Sequence, residues 1–183
     1  MLQIPYEDSF SQNARGMMVA AVLASMKVVK KHQCHRFTDV LGTKVDGTLA
    51  ATPADKESDW AGKAVLRKIP NVIGHGEETG AEGSGTVRVY LDGLDGSMPY
   101  AVGASTSTII AAAYSEKKNE VFFCLVGEPQ SGRIWQASLG TPTCVAVFPV
   151  DGSDPTEMAP VKVTNGGPDF KSRVLIDSYP SFK

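Results

Sequence analysis

Near the start of the chain, hydrophobic positions recur every three or four residues, which is the period of an amphipathic helix. This spacing predicts a helix over residues 10–32, and Ser9 with Gln12 matches the capping-box pattern at its start. The periodicity then stops, and residues 34–51 are predicted to be irregular.

A second helix is predicted to begin after Thr52. Thr52 can cap the helix, Pro53 suits the first helical position, and Asp55 favours the positive end of the helix dipole. This helix is expected to run to about Lys68 and to end before Pro70, which cannot continue it.

Further along the chain, β-branched and aromatic runs alternate with turn-forming residues, which is typical of strands. A strand is predicted at residues 86–91 and a short one at 72–73, with the glycine-rich stretch 74–85 as a loop and 117–119 as a hairpin turn. The other predicted strands are residues 107–114, 120–126, 133–137, 143–148, 161–163 and 173–176.

The order of these elements predicts the fold class. Two helices followed by a series of strands indicate an α+β protein, in which two N-terminal helices pack on one face of a largely antiparallel β-sheet. The chain has 183 residues, which fits one domain or part of a larger one.

Charge and composition narrow the classes of function. The net charge of −2 indicates neither a nucleic-acid nor a membrane surface, and no apolar run approaches the ~20 residues of a membrane span. The start of the chain is polar and acidic, unlike a signal peptide. Three cysteines without a C-x-x-C pair argue against a disulfide framework or a zinc knuckle, so a cytoplasmic location is expected.

The candidate chemistry lies in the hexapeptide DGLDGS at residues 92–97, directly after a predicted strand. Its two carboxylates lie three residues apart, and carboxylate oxygens select hard cations such as Mg²⁺. Its glycines allow the backbone to come close to a ligand. A second acidic motif, Gly-Glu-Glu at residues 76–78, lies upstream in the glycine-rich stretch. Together the two motifs predict a metal-assisted phosphate site.

These motifs resemble the inositol monophosphatase family, within the wider group of Mg²⁺-dependent, lithium-sensitive sugar phosphatases. The family signature is an acidic Gly-Glu-Glu loop, a strand, and then Asp-Pro-(Ile/Leu)-Asp-Gly-Thr, matched here by residues 76–78 and 92–97. The family's Thr-x-x-Asp helix start is matched by residues 52–55. The resemblance implies that residues 1–183 are a single N-terminal lobe of the layered αβαβα sugar-phosphatase fold, with the C-terminal lobe absent from this chain.

The resemblance also implies two or three Mg²⁺ ions per site. One metal would be held by Glu77, Asp92 and the backbone carbonyl of Leu94, with the Ser97 hydroxyl as a further candidate ligand. A second metal would be bridged by Asp92 and held by Asp95. The implied activity is hydrolysis of a phosphate monoester of a small polyol or sugar by metal-activated water, without a phosphoenzyme.

Two further roles follow from the same resemblance. Asp55 and Ser97 resemble the catalytic pair that orients the attacking water and takes its proton. The backbone amides of Gly96 and Ser97 are expected to cradle the phosphate. The expected partner is a small-molecule phosphate ester, without nucleic acid or membrane, and family members are often homodimers.

The chain departs from the family pattern at three points. Gly93 replaces the usual proline, and Ser97 replaces the usual threonine while keeping a hydroxyl. The family's third metal-binding aspartate, in a Trp-Asp-x-Ala segment, is missing, because neither Trp60 nor Trp135 is followed by Asp. The alternative is therefore a non-catalytic module that binds metal, phosphate or a partner. Fructose bisphosphate and nucleotide bisphosphate are alternative substrates.

Overall fold

The structure is a computed structural model that describes residues 10, 12–33, 52–103, 106–149, 156 and 159–161. Within these residues the helices are α1 (Gln12–His32), α2 (Pro53–Leu66) and α3 (Ser97–Ala101). The strands are β1 (Val72–Gly76), β2 (Gly80–Gly83), β3 (Val87–Asp95), β4 (Thr108–Ser115), β5 (Glu120–Glu128), β6 (Arg133–Ser138), β7 (Cys144–Val147) and β8 (Ala159–Pro160).

Both long helices confirm the prediction from periodicity. Helix α1 begins at Gln12, while the predicted cap Ser9 lies outside the described residues. Helix α2 has a complete capping box between Thr52 and Asp55 and ends at Leu66, two residues short of the predicted end.

The described strands form one eight-stranded sheet in the order β2-β1-β3-β4-β5-β6-β7-β8. Strands β1 and β3 are parallel, and the other neighbouring pairs are antiparallel. The predicted α+β class with a largely antiparallel sheet is therefore confirmed. The predicted turn at residues 117–119 joins β4 to β5, with Asn119 in the left-handed region at φ 56°.

The predicted loop at residues 74–85 is wrong in part. Strand β1 continues to Gly76, and β2 pairs with it as an antiparallel hairpin. All four residues of β2 are exposed, so this edge strand is held by backbone pairing and carries no apolar alternation that a sequence pattern would reveal. Of the strand predicted at 161–163, only residue 161 is described, and it follows directly after β8 without being part of a strand. Residues 162–163, 173–176 and the irregular segment 34–51 lie outside the described residues.

The signature region also differs from the prediction. Strand β3 does not stop at residue 91 but runs to Asp95, because pairing with β4 continues past a bulge between Asp92 and Asp95. Helix α3 follows immediately, where only strands were predicted. It spans five residues and has no side-chain cap, so neither a hydrophobic period nor a capping residue predicts it from the sequence.

The core lies between the sheet and the two long helices. Along β3, Val87, Val89 and Leu91 are buried, whereas Tyr90 is exposed. A Cβ on Gly62 of α2 would lie 2.5 Å from Leu91 Cδ2, so a larger residue there would force the Leu91 side chain to move. Within the described residues, none of the helices has the length and hydropathy needed to cross a lipid bilayer.

Candidate functional site

The parallel pairing of β1 and β3 brings the two acidic motifs together. Gly76 lies opposite Leu91, and the register continues with a hydrogen bond from the Glu77 backbone N–H to the Leu91 carbonyl at 3.1 Å. The next residues along the two strands are Glu77 and Asp92, and their carboxyl groups are close enough to share a hydrogen bond. Residues that are 15 positions apart in the sequence thus meet at one end of the sheet.

The position of Asp92 has a clear electrostatic consequence. Its pKa is raised from 3.8 to about 7, first by burial and then by the negative charge of Glu77, with a smaller contribution from Asp95. The Leu94 backbone N–H donates to Asp92 Oδ1 at 3.0 Å and partly opposes this rise. A cation bound between the carboxylates of Glu77 and Asp92 would remove their repulsion, so the electrostatics of this site favour cation binding.

A pH-dependent stability follows for the metal-free protein. The folded chain holds the Asp92 proton more tightly than the unfolded chain, so the contribution of Asp92 to the free energy of unfolding is most favourable below about pH 4 and falls as the pH rises to about 7. At about 1.4 kcal/mol per pKa unit the full shift corresponds to about 4 kcal/mol, which screening of this partly exposed group reduces to about 2 kcal/mol.

Urea denaturation in EDTA between pH 4.5 and 8 checks this dependence. The Asp92→Asn variant has no carboxyl group to titrate at this position, so its stability should fall less over the same range. Equal declines in the two proteins would contradict the assignment to Asp92.

Asp95 lies at the exposed end of β3, where its Oδ2 accepts a hydrogen bond from Thr108 Oγ1 at 3.2 Å. Across the part of the chain that the structure describes, no group of three or more His, Cys, Asp or Glu side chains is close enough to hold a metal ion. Asp95 therefore acts on Asp92 through its charge, and the geometry brings together only Glu77 and Asp92.

The chemistry of the predicted donors suits the first metal implied by the sequence, and its ligation by these residues stays a prediction. Two carboxylates and the Leu94 carbonyl offer oxygen alone, and Mg²⁺ commonly binds through one or two carboxylates while keeping several waters. The Leu94 carbonyl oxygen is 3.3 Å from Ser97 Oγ, so it lies beside the predicted catalytic pair of Asp55 and Ser97. The donors expected for a second metal, Asp92 and Asp95, are not brought into such a group, and that ligation stays a prediction.

The predicted catalytic pair is in direct contact. Ser97 Oγ donates to Asp55 Oδ1 at 2.6 Å, across 42 residues of sequence. The other carboxylate oxygen, Asp55 Oδ2, accepts from the Thr52 backbone N–H at 2.6 Å and from Thr52 Oγ1 at 2.5 Å. The start of α2 thereby fixes the buried Asp55 carboxylate and leaves one oxygen for Ser97.

The predicted phosphate cradle lies at the turn between β3 and α3. Gly96 has φ 83° and ψ 46°, a left-handed conformation that glycine adopts without steric cost. Its carbonyl accepts from the Tyr100 backbone N–H at 3.0 Å, which closes the first turn after Ser97. Phosphate binding by the Gly96 and Ser97 amides remains a prediction.

A cleft of about 380 Å³ opens beside the acidic pair. The His75 ring stacks on Tyr90 with centroids 4.9 Å apart, and His75 Nε2 lies 3.0 Å from Arg88 Nη1. Burial, and then the charges of Arg88 and Lys63, lower the pKa of His75. The residues that line the cleft are His75, Gly76, Glu77, Tyr90, Leu91 and Asp92.

One residue that contacts both acidic motifs was not predicted. Asp59 lies one turn after Asp55 on α2, is fully buried, and accepts hydrogen bonds from the backbone N–H groups of Glu78, Thr79 and Gly93. The four-residue spacing from Asp55 places both carboxylates on one face of the helix, which is the only signal that the sequence carries for it.

Comparison with known proteins supports the fold. No protein-family model and no curated protein matches this chain. Among solved structures, the extragenic suppressor protein SuhB from Bartonella henselae matches with a TM-score of 0.67 and 16% identity, covering 73% of this chain and 52% of that chain. The MJ0109 gene product, an inositol monophosphatase-fructose 1,6-bisphosphatase, matches with a TM-score of 0.61 and 20% identity, covering 72% and 51%.

A third structure extends the same comparison. CysQ from Bacteroides thetaiotaomicron, a bacterial member of the inositol monophosphatase family, matches with a TM-score of 0.56 and 17% identity, covering 76% of this chain and 51% of that chain. At these identities the likeness concerns the fold. The chain has a partial inositol monophosphatase fold and spans about half the length of the structures that it matches.

Proposed function

We propose that this protein belongs to an Mg²⁺-dependent phosphomonoesterase that hydrolyses a phosphate monoester of a small polyol or sugar. The observation that supports this most is the parallel register that brings Glu77 beside Asp92. We further propose that residues 1–183 form the amino-terminal lobe of a longer enzyme and that its other lobe supplies the third metal-binding aspartate. The matched structures, about twice as long, are consistent with this reading.

Electrostatics explains why a cation belongs to this reaction. A phosphate monoester is dianionic, and Glu77, Asp92 and Asp95 are acidic, so substrate and site repel each other without a positive charge. Bound Mg²⁺ would neutralise both and activate water for attack on phosphorus. Glu77, Asp92 and the Leu94 carbonyl are the residues of this chain that would hold it.

The chain itself supplies a route for a proton. Ser97 Oγ donates its proton to Asp55 Oδ1, so its lone pairs are available to accept a proton from a water molecule. As that water attacks phosphorus, its proton passes to Ser97 Oγ and the Ser97 proton passes to Asp55. The bond from phosphorus to the alcohol oxygen breaks, its electron pair leaves with the alcohol oxygen, and that oxygen takes a proton from solvent water; no residue becomes phosphorylated. The two hydrogen bonds from Thr52 keep Asp55 oriented for this transfer.

Phosphate release by the complete enzyme tests the proposal. The substrates are an inositol monophosphate, fructose 1,6-bisphosphate and a nucleotide bisphosphate, each with Mg²⁺, with EDTA, and with Mg²⁺ plus Li⁺. We expect the highest rate from the inositol or another polyol monoester, loss of activity in EDTA, and inhibition by Li⁺. Release that is unaffected by EDTA would contradict the metal-dependent reaction.

A non-catalytic metal- or phosphate-binding module is the second candidate. It is favoured by the absence of a third converging acidic side chain in the described residues and by the replacement of threonine at Ser97. Calorimetric binding of Mg²⁺ without release from any of the three substrates would favour this module. The homodimer, the cytoplasmic location and the lithium sensitivity remain predictions.

A further inference from the structure

Resting on the proposed function, we propose that Asp59 is a positioning residue that holds the loop carrying Glu77 and the turn carrying Asp92 in their shared geometry. Lys63, one turn further along α2, holds the same loop from its carbonyl side. The two residues act through the backbone and leave the carboxylates of Glu77 and Asp92 available to a metal.

The two oxygens of Asp59 are divided between the two segments. Asp59 Oδ2 accepts from the Glu78 backbone N–H at 2.9 Å, the Thr79 backbone N–H at 3.2 Å and Thr79 Oγ1 at 3.2 Å. Asp59 Oδ1 accepts from the Gly93 backbone N–H at 3.2 Å. One carboxylate therefore binds the residues directly after both Glu77 and Asp92.

An ionised carboxylate suits this position because every contact with it is a donor. A carboxylate accepts on both oxygens, whereas an asparagine amide of the same shape accepts on one side and donates on the other. Asp59 is fully buried, so a donor left without an acceptor there has no bulk water to replace it. Two acceptor oxygens are thus required for both segments to be held at once, although burial raises the pKa of Asp59 and the hydrogen bonds from Glu78, Thr79 and Gly93 oppose this rise.

Two glycines allow the loop and the turn to approach α2 at Asp59, Gly76 against its side chain and Gly93 against its backbone. A Cβ on Gly76 would lie 2.3 Å from Asp59 Oδ2, and a Cβ on Gly93 would lie 2.6 Å from the Asp59 backbone nitrogen. Gly93 also supplies the N–H that Asp59 Oδ1 accepts, and a proline at this position would have none. Glycine in place of the family's usual proline at position 93 therefore permits this hydrogen bond between α2 and the Asp92 turn.

Lys63 completes the hold on the loop. Its Nζ donates to the Thr79 carbonyl at 3.1 Å and to the Gly80 carbonyl at 2.8 Å, and the side chain is buried. Asp59 and Lys63 are four residues apart on α2, so they lie on the same helix face. Thr79 is thus bound through its N–H by one residue and through its carbonyl by the other, which limits the movement of the chain after Glu77.

The test measures Mn²⁺ binding by electron paramagnetic resonance and amide hydrogen exchange of the metal-free complete protein. We expect Asp59→Asn to weaken Mn²⁺ binding about tenfold or more, since groups that orient metal ligands typically contribute 10–100-fold to affinity. Exchange at residues 77–80 and 92–94 should accelerate in the same variant, while exchange across β4 and β5 stays as in the unmodified protein.

Ser25→Ala is the matched control. Ser25 is also fully buried, and its Oγ donates to the Ser58 carbonyl at 2.8 Å between α1 and α2, a bond that involves no residue of either loop. The Ser25→Ala substitution should lower the melting temperature yet leave the Mn²⁺ affinity and the amide exchange of both loops unchanged. If Asp59→Asn does not fold, Lys63→Met serves instead, because it removes the donor and keeps the side-chain length; we expect faster exchange at residues 78–80 and weaker Mn²⁺ binding.

The outcomes separate this inference from the proposed function. Mn²⁺ binding by the unmodified protein, with equal affinity in Asp59→Asn or Lys63→Met, would overturn the positioning role and leave the proposed function standing. No Mn²⁺ binding by the unmodified protein would contradict the proposed function and the positioning role together. Equal weakening by Ser25→Ala would also overturn the inference, because a general loss of stability would then explain the result.

Discussion

Replacing Asp92 with asparagine is expected to abolish Mg²⁺-dependent phosphate release by the complete enzyme. Asparagine has nearly the same shape but lacks the charge that a divalent cation requires at the point where Asp92 meets Glu77. A metal contributes several kcal/mol to charge stabilisation in the transition state, so we expect a loss of about 10³-fold or more in kcat/KM. The measurement is phosphate release at saturating Mg²⁺ with the best substrate of the panel.

The control for Asp92→Asn is Glu57→Gln. It makes the same chemical change on the exposed face of α2, where Glu57 pairs with His32 at 2.9 Å, far from the acidic pair in sequence and contacts. It should retain wild-type activity. Retained turnover in Asp92→Asn would show that the site does not operate through this carboxylate.

The loss of activity in Asp92→Asn should be accompanied by a gain in the stability of the metal-free protein above pH 7, because the same substitution removes the repulsion from Glu77.

Replacing Asp55 with asparagine is expected to lower kcat by about 10²–10⁴-fold, the usual contribution of a positioned general base. The carboxylate of Asp55 accepts from Ser97 Oγ, the Thr52 N–H and Thr52 Oγ1, and an amide cannot accept all three or take up a proton. Mn²⁺ affinity should change little, because Asp55 is bound to Ser97 and Thr52 and is not part of the Glu77–Asp92 pair. Steady-state kinetics and Mn²⁺ titration of one preparation separate the two effects.

Two substitutions at Ser97 refine the Asp55 prediction. Ser97→Thr keeps the hydroxyl that donates to Asp55 and should retain most activity, whereas Ser97→Ala should lose nearly as much as Asp55→Asn. The loss of the α2 cap in Asp55→Asn will also lower stability, by about 1 kcal/mol. A kcat that stays at the wild-type level in Asp55→Asn, or a large loss in Ser97→Thr, would contradict the proton route through Ser97.

The start of α2 was predictable because its signals are local. Thr52, Pro53 and Asp55 each satisfy a requirement of the first helical turn, and the structure shows the complete capping box. The helix period of α1 and the strand patterns of β4 to β6 are likewise properties of short windows, and their bounds agree with the prediction to within two residues.

Other elements were not predictable from such windows. Strand β2 has no apolar alternation, and residues 92–95 contain the acids and glycine that favour turns. Pairing with β1 and with β4 overrides these local preferences, because backbone hydrogen bonds do not depend on the side chain. Helix α3 is too short for a period to be visible.

By itself, the sequence determined which residues are predicted to carry the chemistry: the acids at positions 77, 92 and 95, and the Asp55 that caps α2. Their identities and spacing suffice for this prediction, because the affinity of carboxylates for hard cations and the capping of a helix depend on residue type and on the order of neighbouring residues. Only the tertiary structure decided which of them meet. The parallel register pairs Glu77 with Asp92 and leaves Asp95 at the exposed strand end, and the close approach of α2 places Asp59 in hydrogen-bonding contact with the residues that follow Glu77 and Asp92. Such contacts depend on the distance between chain segments in space, which no local window of sequence contains.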